Sequence, residues 1–487
     1  MKLRTSAALV GGAVAGALYV RRRRIDGRAD TPVPRRRRAS RNVELGRIGA
    51  RTGGDFALTQ ARKLFASVEG RRQLDREFEL RTAAQVTEAL GNMKGVAMKL
   101  GQMLAYLDDG LPETIRDGLM QLQQDAPPMS ADLAAGVIER ELGAAPDVVF
   151  AEWDPVPIAA ASIGQVHRAI TPEGTAVAVK VQYPGVDEAM RADLANAGPL
   201  FSGLSMLFPG LDPGPVVTEI KARFAEELDY RHEAENQRQF VEYYRGHPFI
   251  SIPRVIDRYC TARVFTSELA TGARFSEMEG WSQDERNLAA ETIYRFVFGS
   301  LYRMHLFNGD PHPGNYLFAP GGRVTFLDFG LVKRFRPVDI DTFEAMVRAM
   351  VLDPDAAAFR RVIEKAGFLH EGAPMSDEEV VRYFGTFYET IAADRVTTFS
   401  PEYNAEIIAR MFPNRGEDYG AVGKWGNVPG EHVMLQRINL GLVAILGRLQ
   451  ATANWRAIAE ELWPFVNGPP TTALGEAEAQ WRAATSR

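Results

Sequence analysis

The stretch Asn308-Gly-Asp310-Pro-His-Pro-Gly-Asn315, continued by Tyr316-Leu-Phe318, Gly321-Gly322, Val324-Thr-Phe326 and Asp328-Phe-Gly330, decides how the chain is read. Apolar residues on either side of the Gly-Gly pair predict a short β-hairpin. Such a hairpin carries Asn315 on its entry loop and Asp328 at its exit. Asp310 sits upstream, in a loop that Pro311, Pro313 and Gly314 keep irregular. Three side chains bearing hard oxygens around one small volume suit phosphoryl transfer, where an Asn and an Asp hold Mg²⁺ and another Asp positions the attacking hydroxyl. An isolated Asp-Phe-Gly is a weak motif; the Asp-x-x-x-x-Asn upstream makes a mere structural turn the poorer explanation.

Working back along the chain, the stretch from Pro157 to Ile170 and that from Thr175 to Gln182 predict two strands joined by a Thr-Pro-Glu-Gly turn, with Lys180 late in the second. A small-residue loop, Ala159-Ala160-Ala161-Ser162-Ile163-Gly164-Gln165-Val166, leads into the first. A loop that covers a nucleotide, followed by a strand-end lysine that meets its phosphates, fits this order. A solvated strand-end lysine is the plain alternative. Alanines are stiffer than the glycines of ordinary kinase loops and their methyl groups crowd the approach, so nucleotide handling is expected to differ. The next helix holds Glu226, Glu227, Asp229, Glu233, Glu235 and Asn236. One of these carboxylates is a candidate partner for Lys180, against the plainer reading of a solvated acidic face. Strands are expected over Ser251–Val255 and Thr261–Leu269, leaving Glu268-Leu269-Ala270 where backbone groups would meet adenine.

Composition bounds these readings. The 487 residues are 46% hydrophobic and 24% charged, ordinary for about two to four globular domains. A net charge of −5 and a pI near 5.9 give no case for nucleic-acid binding. The single cysteine, Cys260, excludes an intrachain disulfide and a cysteine metal cluster.

Ser6 to Val20 is an uncharged run flanked by Lys2 and Arg4 and by Arg21 to Arg24, and Arg35 to Arg38 add a second basic run. As a helix the apolar run spans about 22 Å, short of the roughly 30 Å hydrocarbon core. A short anchor or interfacial helix is favoured over a targeting peptide or a solvated basic tail, with the rest of the chain on the cytoplasmic face near anionic lipid. Helical periodicity then dominates from Val43 to Leu142. It includes Lys99-Leu-Gly101-Gln102, whose Lys and Gln share a helical face. Alone, that motif is an amphipathic helix with a solvated lysine.

Taken together, the series Lys-x-Gly-Gln, Ala-Ala-Ala-Ser-Ile-Gly-Gln-Val-His, Val-Ala-Val-Lys, Glu-x-Asp, Asp-Pro-His-Pro-Gly-Asn and Asp-Phe-Gly resembles the UbiB/AarF family of atypical protein-kinase-like proteins, over roughly Val86 to Phe335. The resemblance implies that Lys99 and Gln102 belong to an extension folded over the site, faced by the acidic motif of Glu227 and Asp229. It implies that Ala159 to Ser162 replace the glycine-rich loop, that Lys180 contacts phosphate and that Glu233 is its partner. It also makes Asp310 the base and Asn315 with Asp328 the Mg²⁺ ligands, with ATP or ADP as the nucleotide. Many kinases place His or Arg just before that Asp; here the residues are Asn308 and Gly309. The family is connected with ubiquinone and other isoprenoid-lipid pathways and with membranes.

The resulting expectation is an α+β, bilobal protein-kinase-like fold. Residues 1–42 form a basic segment, 43–150 a helical extension, 151–270 an N-lobe with a helical insertion beginning near Val186, 271–465 a mostly helical C-lobe and 466–487 a flexible tail. Helices are expected over Asp339–Val351, Asp355–Lys365, Asp377–Ile391 and His432–Ala453, with Ile438–Gly447 buried rather than spanning a membrane. Two other functions stay open. One is a small-molecule phosphotransferase of the aminoglycoside or choline kinase type, which shares the Asp310–Asn315 loop but lacks the Lys99–Gln102 and Ala159–Gln165 elements. The other is a non-catalytic ATP-gated scaffold or lipid chaperone.

Overall fold

Alternating valines at 177, 179 and 181 favour a strand, because branched side chains pack well on a pleated surface and poorly against a helical turn. The computed structural model describes residues 129–485 except 162, 189, 191–221, 223–224, 310, 412–424 and 427–429. The basic segment, the helices expected before residue 129 and most of the insertion therefore lie outside the described residues, as do Lys99, Gln102, Ser162 and Asp310.

The first lobe runs α1 (Ala131–Leu142), α2 (Pro146–Val149), β1 (Glu152–Trp153), β2 (Ala159–Ala160), β3 (Gly164–Ile170), β4 (Ala176–Gln182), α3 (Tyr230–Tyr243), β5 (Ile250–Ser251) and β6 (Val264–Glu268). Its antiparallel sheet has the order β1-β3-β4-β6, with β2 folded back on β3. The valines of β4 face α1 and form one core with Val137, Ile138, Phe150, Val264 and Tyr259. Lys180 lies on the other face, opposite Val166 and Phe265 in the strand register.

The second lobe continues with α4 (Phe275–Met278), α5 (Gln283–Gly299), β7 (Leu306–Asn308), β8 (Tyr316–Ala319), β9 (Arg323–Phe326), β10 (Val332–Arg334), α6 (Pro337–Val347), α7 (Ala356–Lys365), α8 (Asp377–Phe384) and α9 (Glu389–Ala392). Then come β11 (Thr397–Thr398), α10 (Pro401–Met411), α11 (Gly430–Arg448), β12 (Thr452–Ala453), α12 (Trp455–Leu462) and α13 (Ala473–Thr485). The β8–β9 hairpin pairs Tyr316 with Phe326 and turns through Gly321 and Gly322 at φ 78° and 70°, a backbone that side chains rarely adopt. One large core joins α5 to the helices after it, and it takes in Phe240 and Tyr244 from the end of α3. That helix therefore bridges the two lobes.

Several expected elements differ in detail. Ser251–Val255 is not one strand: Pro253 lacks a donor, so pairing stops at Ser251 and resumes only as a single bridge from Val255 to Ser267. The acidic helix is interrupted after Glu227 and restarts at Tyr230, because Asp229 turns its carboxylate to cap the Arg231 amide. Asp377–Ile391 breaks at Gly385, which packs directly on Met350.

The His432–Ala453 helix stops at Arg448, where the chain turns through Gln450 at φ 50° and Thr452–Ala453 pair with β11. Its segment containing Leu440, Leu442, Ile445 and Leu446 is buried against the second-lobe core. Among the described residues no helix is long and apolar enough to cross a membrane. The expected flexible tail, residues 466–487, is instead mostly helix α13, with Leu474, Glu478 and Trp481 buried on one face. The carboxylate in the middle of that stripe disguised it.

Candidate active site

The sheet supplies one wall. Lys180 occupies the fifth position of β4, where strand alternation turns it away from the α1 core. Its Nζ lies 2.9 and 2.8 Å from the two carboxylate oxygens of Glu233 and 3.5 Å from Oδ2 of Asp328. Above it, β2 and β3 form a tight hairpin in which the Ala161 amide donates to the Gly164 carbonyl at 2.8 Å. Ala159 and Ala160 are exposed on its outer strand, and Val166 is half-buried on the face of Lys180. The hairpin lies so close to β4 that a Cβ at Gly164 would come within 2.4 Å of the Val181 carbonyl oxygen.

Helix α3 supplies the second wall. Glu233 is buried one turn into it, and Tyr230 at its start is buried with its ring 5.1 Å from Lys180 Nζ. Among the described residues the Tyr230 hydroxyl has no hydrogen-bond partner. Asn236, one turn past Glu233, donates from Nδ2 to the Phe329 carbonyl at 3.0 Å and accepts from Arg334 through Oδ1 at 3.0 Å. Phe329 is fully buried, with its ring 4.9 Å from that of Phe240. Two aromatic and amide contacts thus tie α3 to the Asp-Phe-Gly segment beside the ion pair.

The hairpin of the second lobe closes the site. The Leu327 amide donates to the Asn315 carbonyl at 3.0 Å, so Asn315 lies across the hairpin from the residue before Asp328. Asp328 accepts the Gly330 amide through Oδ1 at 2.9 Å, which leaves Oδ2 towards Lys180. Asn308 at the end of β7 donates to the Asp328 carbonyl at 2.8 Å. Gly441 of α11 packs on Pro311, so the long helix buttresses the loop that carries Asp310.

Charge distinguishes the three groups. Burial pushes the Glu233 carboxyl up to about 7, a rise that Lys180 opposes and Asp328 adds to. Burial works against the Lys180 charge, yet Asp328 and Glu233 outweigh it and hold that pKa well above its ordinary value. Two carboxylates thus flank one ammonium. Among the described residues no group of three or more His, Cys, Asp or Glu is placed to hold a metal. A cation resting on an Asn315 amide oxygen and the Asp328 carboxylate, with phosphate and water completing its shell, is the pattern that suits Mg²⁺. The donor set fits that ion.

The remaining expected residues make contacts of their own. Gln165 was expected at the nucleotide, but it lies on the opposite face of β3 from Val166. There its side chain binds the Met129 backbone through Oε1 and Nε2, at 3.0 and 3.3 Å, and Nε2 lies 2.9 Å from His167 Nε2. It fastens the back of the sheet. Ile163 is fully buried beside it. The Glu268 amide is taken by the Arg254 carbonyl and the Leu269 amide by that of Ala176, both at 2.9 Å, so these donors belong to the sheet and half-buried Ala270 follows them. Asp229 caps α3, and half-buried Glu227 stands just ahead of it. Sequence reasoning gave no role to Tyr230 or Asn236; the spacing of Asn236, three residues after Glu233, was the available signal.

Known proteins share this architecture. Residues 121–362 match the family described as the ABC1 atypical kinase-like domain. The chain is 34% identical over 269 residues to "Atypical kinase COQ8B, mitochondrial" of Rattus norvegicus, covering 55% of this chain and 51% of that protein. It is 30% identical over 300 residues to "Atypical kinase COQ8, mitochondrial" of Saccharomyces cerevisiae, covering 61% and 60%. The chain therefore spans only about half to three fifths of these relatives. Among solved structures, Rv3197 of Mycobacterium tuberculosis, determined in complex with erythromycin, superposes with a TM-score of 0.58 at 31% identity, covering 82% of this chain and 100% of that one.

Proposed function

Since the chain belongs to the UbiB/AarF family of atypical protein-kinase-like proteins, we propose that it binds Mg·ATP between its lobes and hydrolyses it or transfers its terminal phosphoryl group, in support of isoprenoid-quinone or other lipid metabolism at a membrane. The observation that carries this reading is the Lys180 ammonium bound to both Glu233 oxygens and 3.5 Å from Asp328. An ammonium so placed meets phosphate oxygens as a point charge, and Glu233 fixes its position. Asp328 and Asn315 would hold Mg²⁺, whose contribution when bound is to neutralise charge on the phosphate oxygens. Asp310 would take the proton of the attacking hydroxyl or water, while the alanine loop at 159–161 covers the nucleotide and Val166 lies against its base.

In the same reading the helical extension over residues 43–150 carries Lys99 and Gln102 across the mouth of the site, facing Glu227 and Asp229. The basic N-terminal segment lies on an anionic or isoprenoid-containing membrane. The test is nucleotide turnover by the full chain with Mg²⁺, with and without anionic liposomes, beside Asp328→Asn. Turnover that rises with liposomes and is lost in the variant is expected; turnover equal in both proteins would overturn the assignment.

A further inference from the structure

We propose that the C-terminal helix α13 holds Glu233 against Lys180, with Trp481 as the positioning residue; this deepens the nucleotide-site reading above and rests on it. Helix α3 runs from the ion pair to the second-lobe core. Glu233 lies beside the sheet, and Tyr244, just past the helix end, lies in the second-lobe core about 16 Å further along. Trp481 covers that far end. Its indole Nε1 donates to the Arg245 carbonyl at 3.1 Å, satisfying a backbone group just past the helix. Its ring lies parallel to that of Tyr244 at 6.2 Å and meets His247 edge-on at 4.4 Å.

Helix α13 is itself pinned. One turn before Trp481, Glu478 bonds Arg295 of α5 at 3.0 Å, and the fully buried Arg295 also holds Glu291 and Glu461, each at 2.7 Å. The contacts therefore run from the second-lobe core through Arg295, Glu478 and Trp481 to α3, and along α3 to the ion pair. Kinase-like sites need their lysine–glutamate pair in place, and that requires this helix to be docked. Here the last helix of the chain fastens the far end of the helix that carries the glutamate.

Coupling of this kind is reciprocal. If α13 favours the docked α3, and docked α3 favours nucleotide, then nucleotide must tighten α13. The effect expected for such coupling is on the order of 5- to 150-fold in affinity.

The test compares the full chain with Trp481→Ala and Trp481→Phe by hydrogen exchange of residues 230–243 and 473–485 and by calorimetric titration with Mg·ATP. Trp481→Ala should speed exchange along α3 and weaken Mg·ATP on the order of 5- to 150-fold, with Trp481→Phe between it and the wild type. Mg·ATP should slow exchange of α13 in the wild type but not in Asp328→Asn. A general packing role alone would speed exchange throughout the second lobe, with no nucleotide effect on α13; that pattern overturns the proposal. So does α3 exchange unchanged by Trp481→Ala. If the alanine variant does not fold, Trp481→Phe and the wild-type nucleotide effect decide. If the wild type binds no Mg·ATP, the nucleotide reading fails, and α3 exchange in the variants still decides the clamp.

Discussion

Gly164→Ala probes a close backbone approach in the candidate site. An added Cβ would lie 2.4 Å from the Val181 carbonyl oxygen and 2.8 Å from the Tyr230 hydroxyl. The hydroxyl can swing aside with its ring; the carbonyl belongs to the central strand and cannot. The start of β3 must therefore lift off β4, just where the alanine loop is attached. Overpacking of this kind costs about 1–3 kcal/mol, while the stiffer unfolded chain returns about 0.4–1 kcal/mol. A net loss of about 1–2 kcal/mol and a fall of a few degrees in Tm follow. Denaturant and thermal unfolding measure both.

Tyr230→Phe separates the two contacts. Because the phenol is buried without a hydrogen-bond partner among the described residues, removing its oxygen alone should stabilise the protein by about 1 kcal/mol. In the double variant it should recover less than about 1 kcal/mol beyond additivity, since the shorter contact is with the strand. A Gly164→Ala protein as stable as wild type would refute the described strand approach. Full rescue by Tyr230→Phe would mean that the phenol, not the strand, is the obstacle.

Two further outcomes follow from charge. Arg295→Met strands Glu291, Glu461 and Glu478, none more than 7% exposed, and should cost about 3–5 kcal/mol in urea unfolding; a loss below about 1 kcal/mol would contradict the buried network. Glu233 holds its proton up to about 7 when folded, against 4.5 for an unperturbed carboxyl. The folded state thus binds this proton more tightly, and its contribution to stability is full below about 4.5 and is lost as the pH rises to about 7, by about 3 kcal/mol. Glu233→Gln should lack that slope, so parallel stability curves for the two proteins from pH 4 to 8 would count against the burial of this carboxyl.

Local pattern carried much of the site. The valine alternation placed Lys180 late in a strand, and the Gly321-Gly322 turn fixed the hairpin that sets Asn315 beside the Asp328 segment. What stayed hidden depended on contacts distant in sequence. Nothing near Gln165 says that its partner is the Met129 backbone, because the face of β3 is set by its register with β4. Tyr230 and Asn236 gain meaning only once α3 packs between Lys180 and Phe329. The helix at 473–485 reads as polar until Arg295, far back in the chain, supplies a cation for Glu478. Broken elements had local causes, Pro253 and Asp229 among them, whose weight against the apolar pattern only tertiary packing decided.

The most direct test of the central claim is calorimetric titration of Mg·ATP into the full chain beside Asp328→Asn. Saturable binding to the wild type is predicted, weakened roughly 10- to 150-fold in the variant, the equivalent of about 1.5–3 kcal/mol for a lost charged contact. Equal binding by both proteins, or none by the wild type, would contradict it.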